Sequence, residues 1–314
     1  MTRLLVFGAS GFLGEQVCRA LTADERVTQV IAAGRRSPAV GVPRVQHDLV
    51  TGSAGQLADL LASTRVDAVV NCAGRLAGTP AELLATNTAA VATLIEAVQT
   101  IDARRPPERP LRLVSFGSAA EYGVVERGRP VRETDCARPV SAYGVTKLAA
   151  TRLVEVAAAG GRLDGIVLRV FNPVGPGLPA ENVAGRAVRE IRDALAEGTS
   201  RIRLGPLGAY RDFVDVRDVA AAVVAAVFAA RPAEVVCNMG SGDAVPTRTL
   251  IRLLADAAGY AGEVLEADPP SAKSPGVDWI AADLTHTTEV LGWAPRYDLA
   301  ASAEATWVHA LTTV

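Results

Sequence analysis

The chain has 314 residues, is 49% hydrophobic and carries a formal net charge of −2, enough for an ample core in one large domain or two closely joined ones. Its arginines are interspersed with Asp and Glu rather than gathered into a basic stripe, so a nucleic-acid partner is not expected. Cys18, Cys72, Cys136 and Cys237 are widely spaced without a C-x-x-C, and the three histidines are scattered, which argues against a disulfide framework or a metal site.

Short apolar runs at 4–7, 30–33, 44–47, 68–71, 111–116 and 165–171 predict strands, with helices at 12–23, 56–63, 81–101 and 142–159 between them. The first strand begins almost at the N-terminus, leaving no room for a signal peptide. Thr79 as N-cap, Pro80 at the first helical position and Glu82 closing a capping box start the third helix. Residues 104–110, with Pro106, Pro107 and Pro110, form an exposed connection. Beyond the loop at 172–179 come a helix at 183–195, a strand at 201–204, a turn at 205–208, a helix at 216–229 and a strand at 234–238. The remainder, including Pro269-Pro270 and Lys273-Ser274-Pro275, reads as small helices and loops. The longest apolar stretch, 219–230, falls short of the ~20 residues of a membrane span, so a cytoplasmic protein with no membrane partner is expected. Strand–helix alternation predicts an α/β fold, a Rossmann-type doubly wound parallel sheet, with a smaller C-terminal α/β substrate-binding domain. The expected division is a dinucleotide-binding domain at 1–172, rejoined by 213–240, and a substrate domain at 173–212 and 241–314.

The stretch from Gly8 through Ser10, Gly11, Phe12 and Leu13 to Gly14 follows the first strand and opens the first helix. Glycines there permit a tight turn and close approach of a pyrophosphate to backbone N–H groups at a helix N-terminus. The second strand ends Ala33-Gly34-Arg35-Arg36 without the acid that holds a ribose 2′-hydroxyl in NAD-preferring sites. Arg35 and Arg36 could instead grip a 2′-phosphate, so NADPH is expected over NADH. Asp48, followed by Leu49, is placed to accept from the adenine amine or equally to cap a helix.

Of the 32 basic residues only Lys147 and Lys273 are lysine. Lys147 lies four residues after Tyr143, on the same helical face. A nearby ammonium favours phenolate, so the pairing is expected to lower the Tyr143 pKa towards working pH and make it a proton donor or acceptor for a carbonyl/alcohol pair.

Together with Asn71-Cys72-Ala73-Gly74, Asn87 and the run Ser115-Phe116-Gly117-Ser118-Ala119-Ala120-Glu121-Tyr122-Gly123, these residues resemble the extended short-chain dehydrogenase/reductase family, in its nucleotide-sugar branch. The resemblance implies that Ser118, Tyr143 and Lys147 are the catalytic group. It also implies that Cys72, Ala73, Gly74 and Asn87 join the cofactor site and that Lys147 holds the nicotinamide ribose. Asn172 and Arg211 would hold a substrate diphosphate, with an Arg211–Asp215 ion pair as the plainer alternative. Ala119, Ala120 and Glu121 would shape the sugar pocket. Ala119 and Ala120 stand where sugar 4,6-dehydratases of the family carry an Asp-Glu pair, which turns the expectation from dehydration to NADPH-dependent reduction of a nucleotide-diphosphate 4-keto-6-deoxyhexose. A 4-epimerase that keeps its NAD, or a reductase of another natural-product ketone, are the alternatives. A homodimer through a four-helix bundle is implied too, packed on 89–92 and on 148–150 with Val154.

Overall fold

The computed structural model describes residues 2–103, 105–106, 110–161, 163–266 and 276–312. The predicted features at Pro269-Pro270 and Lys273-Ser274-Pro275, and residues 104 and 107–109 of the proline-rich connection, lie outside them. In chain order the first half contains β1 (Thr2–Phe7), α1 (Phe12–Ala23), β2 (Val27–Ala33), β3 (Arg44–Val45), α2 (Ala54–Thr64), β4 (Ala68–Asn71), α3 (Pro80–Leu84), α4 (Ala90–Asp102), β5 (Arg112–Ser118), α5 (Ala142–Ala159) and β6 (Asp164–Val170). There follow β7 (Asn172–Val174), α6 (Val183–Glu197), β8 (Arg201–Leu204), β9 (Tyr210–Asp215), α7 (Val216–Phe228), β10 (Val236–Met239), β11 (Ala244–Pro246), α8 (Thr247–Ala258), β12 (Glu263–Glu266), α9 (Thr285–Leu291) and α10 (Leu299–Thr312).

The main sheet has the strand order β10-β6-β5-β4-β1-β2-β3, and every pairing in it is parallel. The central strands are apolar on both faces because helices cover both. Leu5, Val69 and Leu113 face a core with α2, α4 and α5, whereas Leu4, Val70 and Val114 face one with α1 and α7. The predicted Rossmann-type doubly wound sheet is therefore present, with α7 packed on one face and β10 at its edge, while β9 lies in a separate sheet. The chain reverses its direction of winding between β1 and β4, and ligands of open α/β sheets bind at such a switch point, beyond the carboxyl ends of the strands. Gly8, Cys72, Ser118 and Asn172 all arrive at that edge.

The smaller unit packs α6, α8 and α10 around Val174, Ile202, Leu204, Ile251 and Trp307. Its strands form one sheet in the order β11-β9-β7 and a pair β12-β8. Trp293 and its neighbours Val290 and Leu291, from the stretch expected to be substrate domain, pack instead in the α1/α7 core. Trp293 Nε1 donates to the Asp218 carbonyl over 3.0 Å, and the Asp218 carboxylate accepts from Arg296 N and Tyr297 N.

Two local differences from the sequence reading have clear causes. The strand expected at 44–47 pairs only over Arg44–Val45, because the Asp48 carboxylate accepts from Val50 N at 2.9 Å and its carbonyl from Gly52 N at 2.8 Å, folding the chain into a turn. The helix expected at 81–101 is continuous but contains a π turn over Ala85–Ala89. At 23 residues this segment, Pro80–Asp102, is long and apolar enough to cross a membrane, contrary to the expectation that no stretch reaches that length. Here its residues Val91, Leu94, Ile95, Val98 and Ile101 are buried in the sheet core.

Candidate active site

Gly8 adopts φ +69°, and a Cβ there would lie 2.6 Å from Ala73 N. A Cβ on Gly14 would overlap the Gly8 carbonyl, which also accepts from Gly11 N at 3.0 Å. These contacts force glycine at both positions and press α1 onto the turn. The N-cap of α1 is Gly11, with no side-chain hydrogen bond, whereas Ser53, Ser141 and Asn182 cap α2, α5 and α6. A twelve-residue helix with a glycine turn and no side chain over its first N–H groups suits the diphosphate of NAD(P). Phe12, Leu13 and Gly14 supply those N–H groups, and Ser10 sits half-buried beside them.

Across the switch point, Asn71 Oδ1 accepts from Ala73 N at 3.1 Å. Asn87, in the π turn, is expected as a cofactor contact, but its side chain is only 1% exposed. It accepts from Arg75 N at 2.8 Å and donates to Arg75 O at 2.9 Å and Thr146 Oγ1 at 3.2 Å. Its amide is thus taken up in bracing the Cys72–Arg75 loop against α5. Thr146, hidden in the sequence between Tyr143 and Lys147, is a bracing partner the sequence reading missed.

At the end of β2, Arg35 and Arg36 are exposed, the Arg35 side chain by 82%. Arg35 Nε lies 3.8 Å from Asp48 Oδ2. Arg44, another residue missed, holds this turn from below by donating to the carbonyls of Gly34 and Arg35. Asp48 does not cap α2, which has its own Ser53–Gln56 capping box. Leu49, expected at the cofactor, has its side chain in the core.

Ser118 closes β5 and caps the short turn Ala119–Glu121, its Oγ accepting from Ala120 N at 3.2 Å. Tyr143 lies in the first turn of α5, where Gly144 allows the helix to touch that turn: a Cβ at 144 would overlap the Ala120 carbonyl. The Tyr143 phenol lies close enough to the Ser118 hydroxyl to feel it. Lys147, one turn on and only 6% exposed, donates to the Phe116 carbonyl. The structure therefore brings Ser118, Tyr143 and Lys147 together at the carboxyl edge of the sheet. It corrects the expected electrostatics, however. Burial pushes the Tyr143 phenol up to about 12 against the opposing influence of the Ser118 hydroxyl, and burial also lowers the Lys147 ammonium. The lysine's charge is turned to a backbone carbonyl, so desolvation of the phenol prevails.

Glu121 is a second correction. Rather than facing a sugar pocket it is fully buried, accepting from Ser118 N at 2.8 Å, Thr151 Oγ1 at 3.0 Å and Arg169 Nε at 2.9 Å. Ala119 is buried too, in an apolar cluster with Tyr122, Phe171, Val277, Ile280 and Ala282.

On the opposite wall, Asn172 Nδ2 donates to the Asp212 carbonyl at 3.0 Å. Arg211 does not pair with Asp215, which is held by Arg217 at 2.7 Å and by Ser302 Oγ. The Arg211 guanidinium is half-buried and donates to the Tyr210 carbonyl at 2.8 Å. Burial lowers its pKa, with Asp278 opposing, and such a desolvated fork gains most from an anion.

This architecture has counterparts. The model of the NAD dependent epimerase/dehydratase family matches residues 4–240. The chain belongs to that family. Like the family as a whole it is an NAD(P)-dependent enzyme, with its glycine turn, Ser118, Tyr143 and Lys147 all inside the matched region. One relative is dTDP-6-deoxy-L-talose 4-dehydrogenase (NAD(P)(+)) of Kitasatospora kifunensis, 37% identical over 97% of this chain and 94% of its own. Among solved structures, RMD from Pseudomonas aeruginosa complexed with NADPH superposes with a TM-score of 0.81 at 26% identity, covering 100% of this chain and 99% of that one. UDP-glucose 4-epimerase of Thermus thermophilus, complexed with NAD, gives 0.82 at 26% identity over 99% and 100%.

Proposed function

We propose that the enzyme reduces the 4-keto group of a dTDP-linked 4-keto-6-deoxyhexose with NADPH. The observation that carries this reading is the placement of Tyr143 in the first turn of α5, which packs against the turn that Ser118 caps at the end of β5, since reduction needs an acid held beside the carbonyl oxygen. The sugar and base follow from the relative that acts as a dTDP-6-deoxy-L-talose 4-dehydrogenase, whose named reaction run backwards is such a reduction. NADPH supplies the hydride when bound. Ser118 Oγ holds the substrate carbonyl oxygen, and Tyr143 delivers its proton to that oxygen as negative charge builds on it. Lys147, released from the Phe116 carbonyl, stabilises the phenolate left behind. Ala119 and Ala120 offer no acid or base that could expel water. Arg211 and Asn172 grip the diphosphate.

The test is NADPH oxidation by the purified protein with dTDP- and GDP-4-keto-6-deoxyhexoses. Stoichiometric oxidation with the dTDP sugar is the expected result. No oxidation, with NAD released on denaturing the protein, would move the reading to the 4-epimerase that the Thermus enzyme's likeness keeps in view.

Two further outcomes follow. Because the phenol is held up, kcat/KM for reduction stays flat through neutral pH and falls only on the alkaline side, as tyrosinate forms. Sugar oxidation, which needs the phenolate, rises over that same range, and a pH–rate profile in both directions checks the pair. Replacing Arg35 and Arg36 together by Ser removes up to two charge-assisted bonds to a 2′-phosphate, so KM for NADPH rises roughly 10- to 100-fold. KM for NADH stays near wild type, and equal changes for both cofactors would remove the arginines from cofactor selection.

A homodimer belongs to the same proposal, on a different face from that expected. Ala90, Val91, Ala150 and Val154 are taken up by the chain's own core. The exposed apolar stripe is Val145, Leu153 and Val156 of α5 with Leu84 of α3, and Val156→Asp is expected to give a monomer by light scattering.

A further inference from the structure

Behind the catalytic group lies a buried charge that the reaction does not consume. The Glu121 carboxylate, fully buried, forms an ion pair with Arg169 of β6 at 2.9 Å, and Arg169 is 2% exposed at its side chain. Such a pair is expensive to bury and could be replaced by apolar residues with no loss of stability, so its placement calls for a reason. Its contacts supply one. Oε1 takes the backbone N–H of Ser118 and the hydroxyl of Thr151, which lies on α5 one turn beyond Lys147. Oε2 takes the guanidinium, which also stacks over the Tyr122 ring at 4.5 Å. One carboxylate thus ties the catalytic end of β5 to the helix bearing Tyr143 and Lys147. A Cβ on Gly117 would sit 2.7 Å from Oε1, so the strand itself leaves room for it.

We propose that Glu121, oriented by Thr151 and charge-matched by Arg169, is the positioning residue of this active site, fixing Ser118 against α5 and keeping the Tyr143–Lys147 pair in its phenol–ammonium form. This rests on Ser118, Tyr143 and Lys147 being the catalytic group. The charged groups facing the pair are Glu121 from the turn after β5, Arg169 from β6 behind it and Lys147 itself; the helix on the other side of α5 presents the neutral Asn87 and Thr88. The field of Glu121 bears on both members, favouring the protonated form of each.

The test has a charge arm and a geometry arm. In the charge arm, Tyr143 ionisation is followed by ultraviolet difference titration of the protein alone, against the same background carrying Tyr143→Phe. Wild-type Tyr143 stays protonated to the alkaline limit of the fold. In Glu121→Gln, which leaves the Arg169 charge unmatched behind the pair, it ionises at lower pH. An unmoved titration in a folded variant overturns the proposal, because a purely structural Glu121 would leave it unchanged. The geometry arm is Thr151→Val, a near-isosteric change that keeps the charge. It is expected to lower kcat for the dTDP-4-keto-6-deoxyhexose about 10-fold or more with KM for NADPH retained, and wild-type kcat overturns the positioning role. Full turnover by Tyr143→Phe would instead show that the catalytic assignment had failed, a result distinct from either.

Discussion

Tyr143→Phe is expected to cut kcat for keto-sugar reduction by roughly 100- to 10,000-fold, the usual worth of a positioned general acid. The substitution removes one oxygen from a half-buried ring and leaves the α5 cap on Ser141, the Gly144 contact and the Lys147 bond to Phe116 in place. Folding and NADPH binding therefore stay near wild type, and the loss falls on the proton-transfer step. Ser118 Oγ keeps its bond from Ala120 N, so it can still hold a carbonyl oxygen without protonating it. Stopped-flow measurement of a single turnover, with NADPH binding followed by fluorescence, separates the two effects. A variant that kept wild-type turnover would falsify the role of Tyr143 as acid.

The second large effect is on stability. Asp212, fully buried, accepts from Ser241 N and Oγ, Gly242 N at 3.1 Å and Ala282 N at 2.9 Å. Its carbonyl takes the Asn172 amide, and a Cβ on Gly240 would collide with its Oδ2. One side chain thus ties the strand carrying Arg211 to the end of β10 and to the segment at 280–282. Asp212→Ala leaves three backbone N–H groups without their acceptor, those of Ser241 and Gly242 part-buried and that of Ala282 buried, a cost of about 2–4 kcal/mol when each orphaned donor is worth about one. Urea denaturation reads this directly. A loss below about 1 kcal/mol would mean that the loop finds other acceptors. Asp212→Asn, which keeps one carbonyl oxygen, is expected to fall between.

Much of this molecule is legible in its sequence because the signals are local. The strand runs other than the one at 44–47, the Gly8–Gly14 turn and the Thr79–Glu82 capping box depend on neighbours a few residues away, and the structure has them where the pattern puts them. What the sequence hides is long-range. Whether Glu121 faces a sugar or an arginine depends on Arg169, 48 residues on. Asn87 is bound to a loop twelve residues earlier and to Thr146, and no spacing in the chain announces either contact. The sign of the Tyr143 shift is hidden for a related reason. Helical spacing brings an ammonium near the phenol, but how much water each retains is set by β5 and the turn after it. The dimer face is obscured because small apolar residues on a helix look alike whether they line a core or a surface.

The π turn at Ala85–Ala89 has a consequence for the history of this helix. A π turn arises when one residue is inserted into a helix that stays otherwise intact, and such turns concentrate at functional sites. Each residue advances an α-helix by about 100°, so an insertion leaves the segments on either side out of phase by that angle. α3, carrying exposed Leu84, and α4, carrying buried Val91 and Leu94, are the two offset halves. Deleting a single residue from 85–89 would bring them back into phase and swing Asn87 away from the Arg75 backbone. The helix would become more regular, and the loop beside the glycine turn would lose the side chain that spans it.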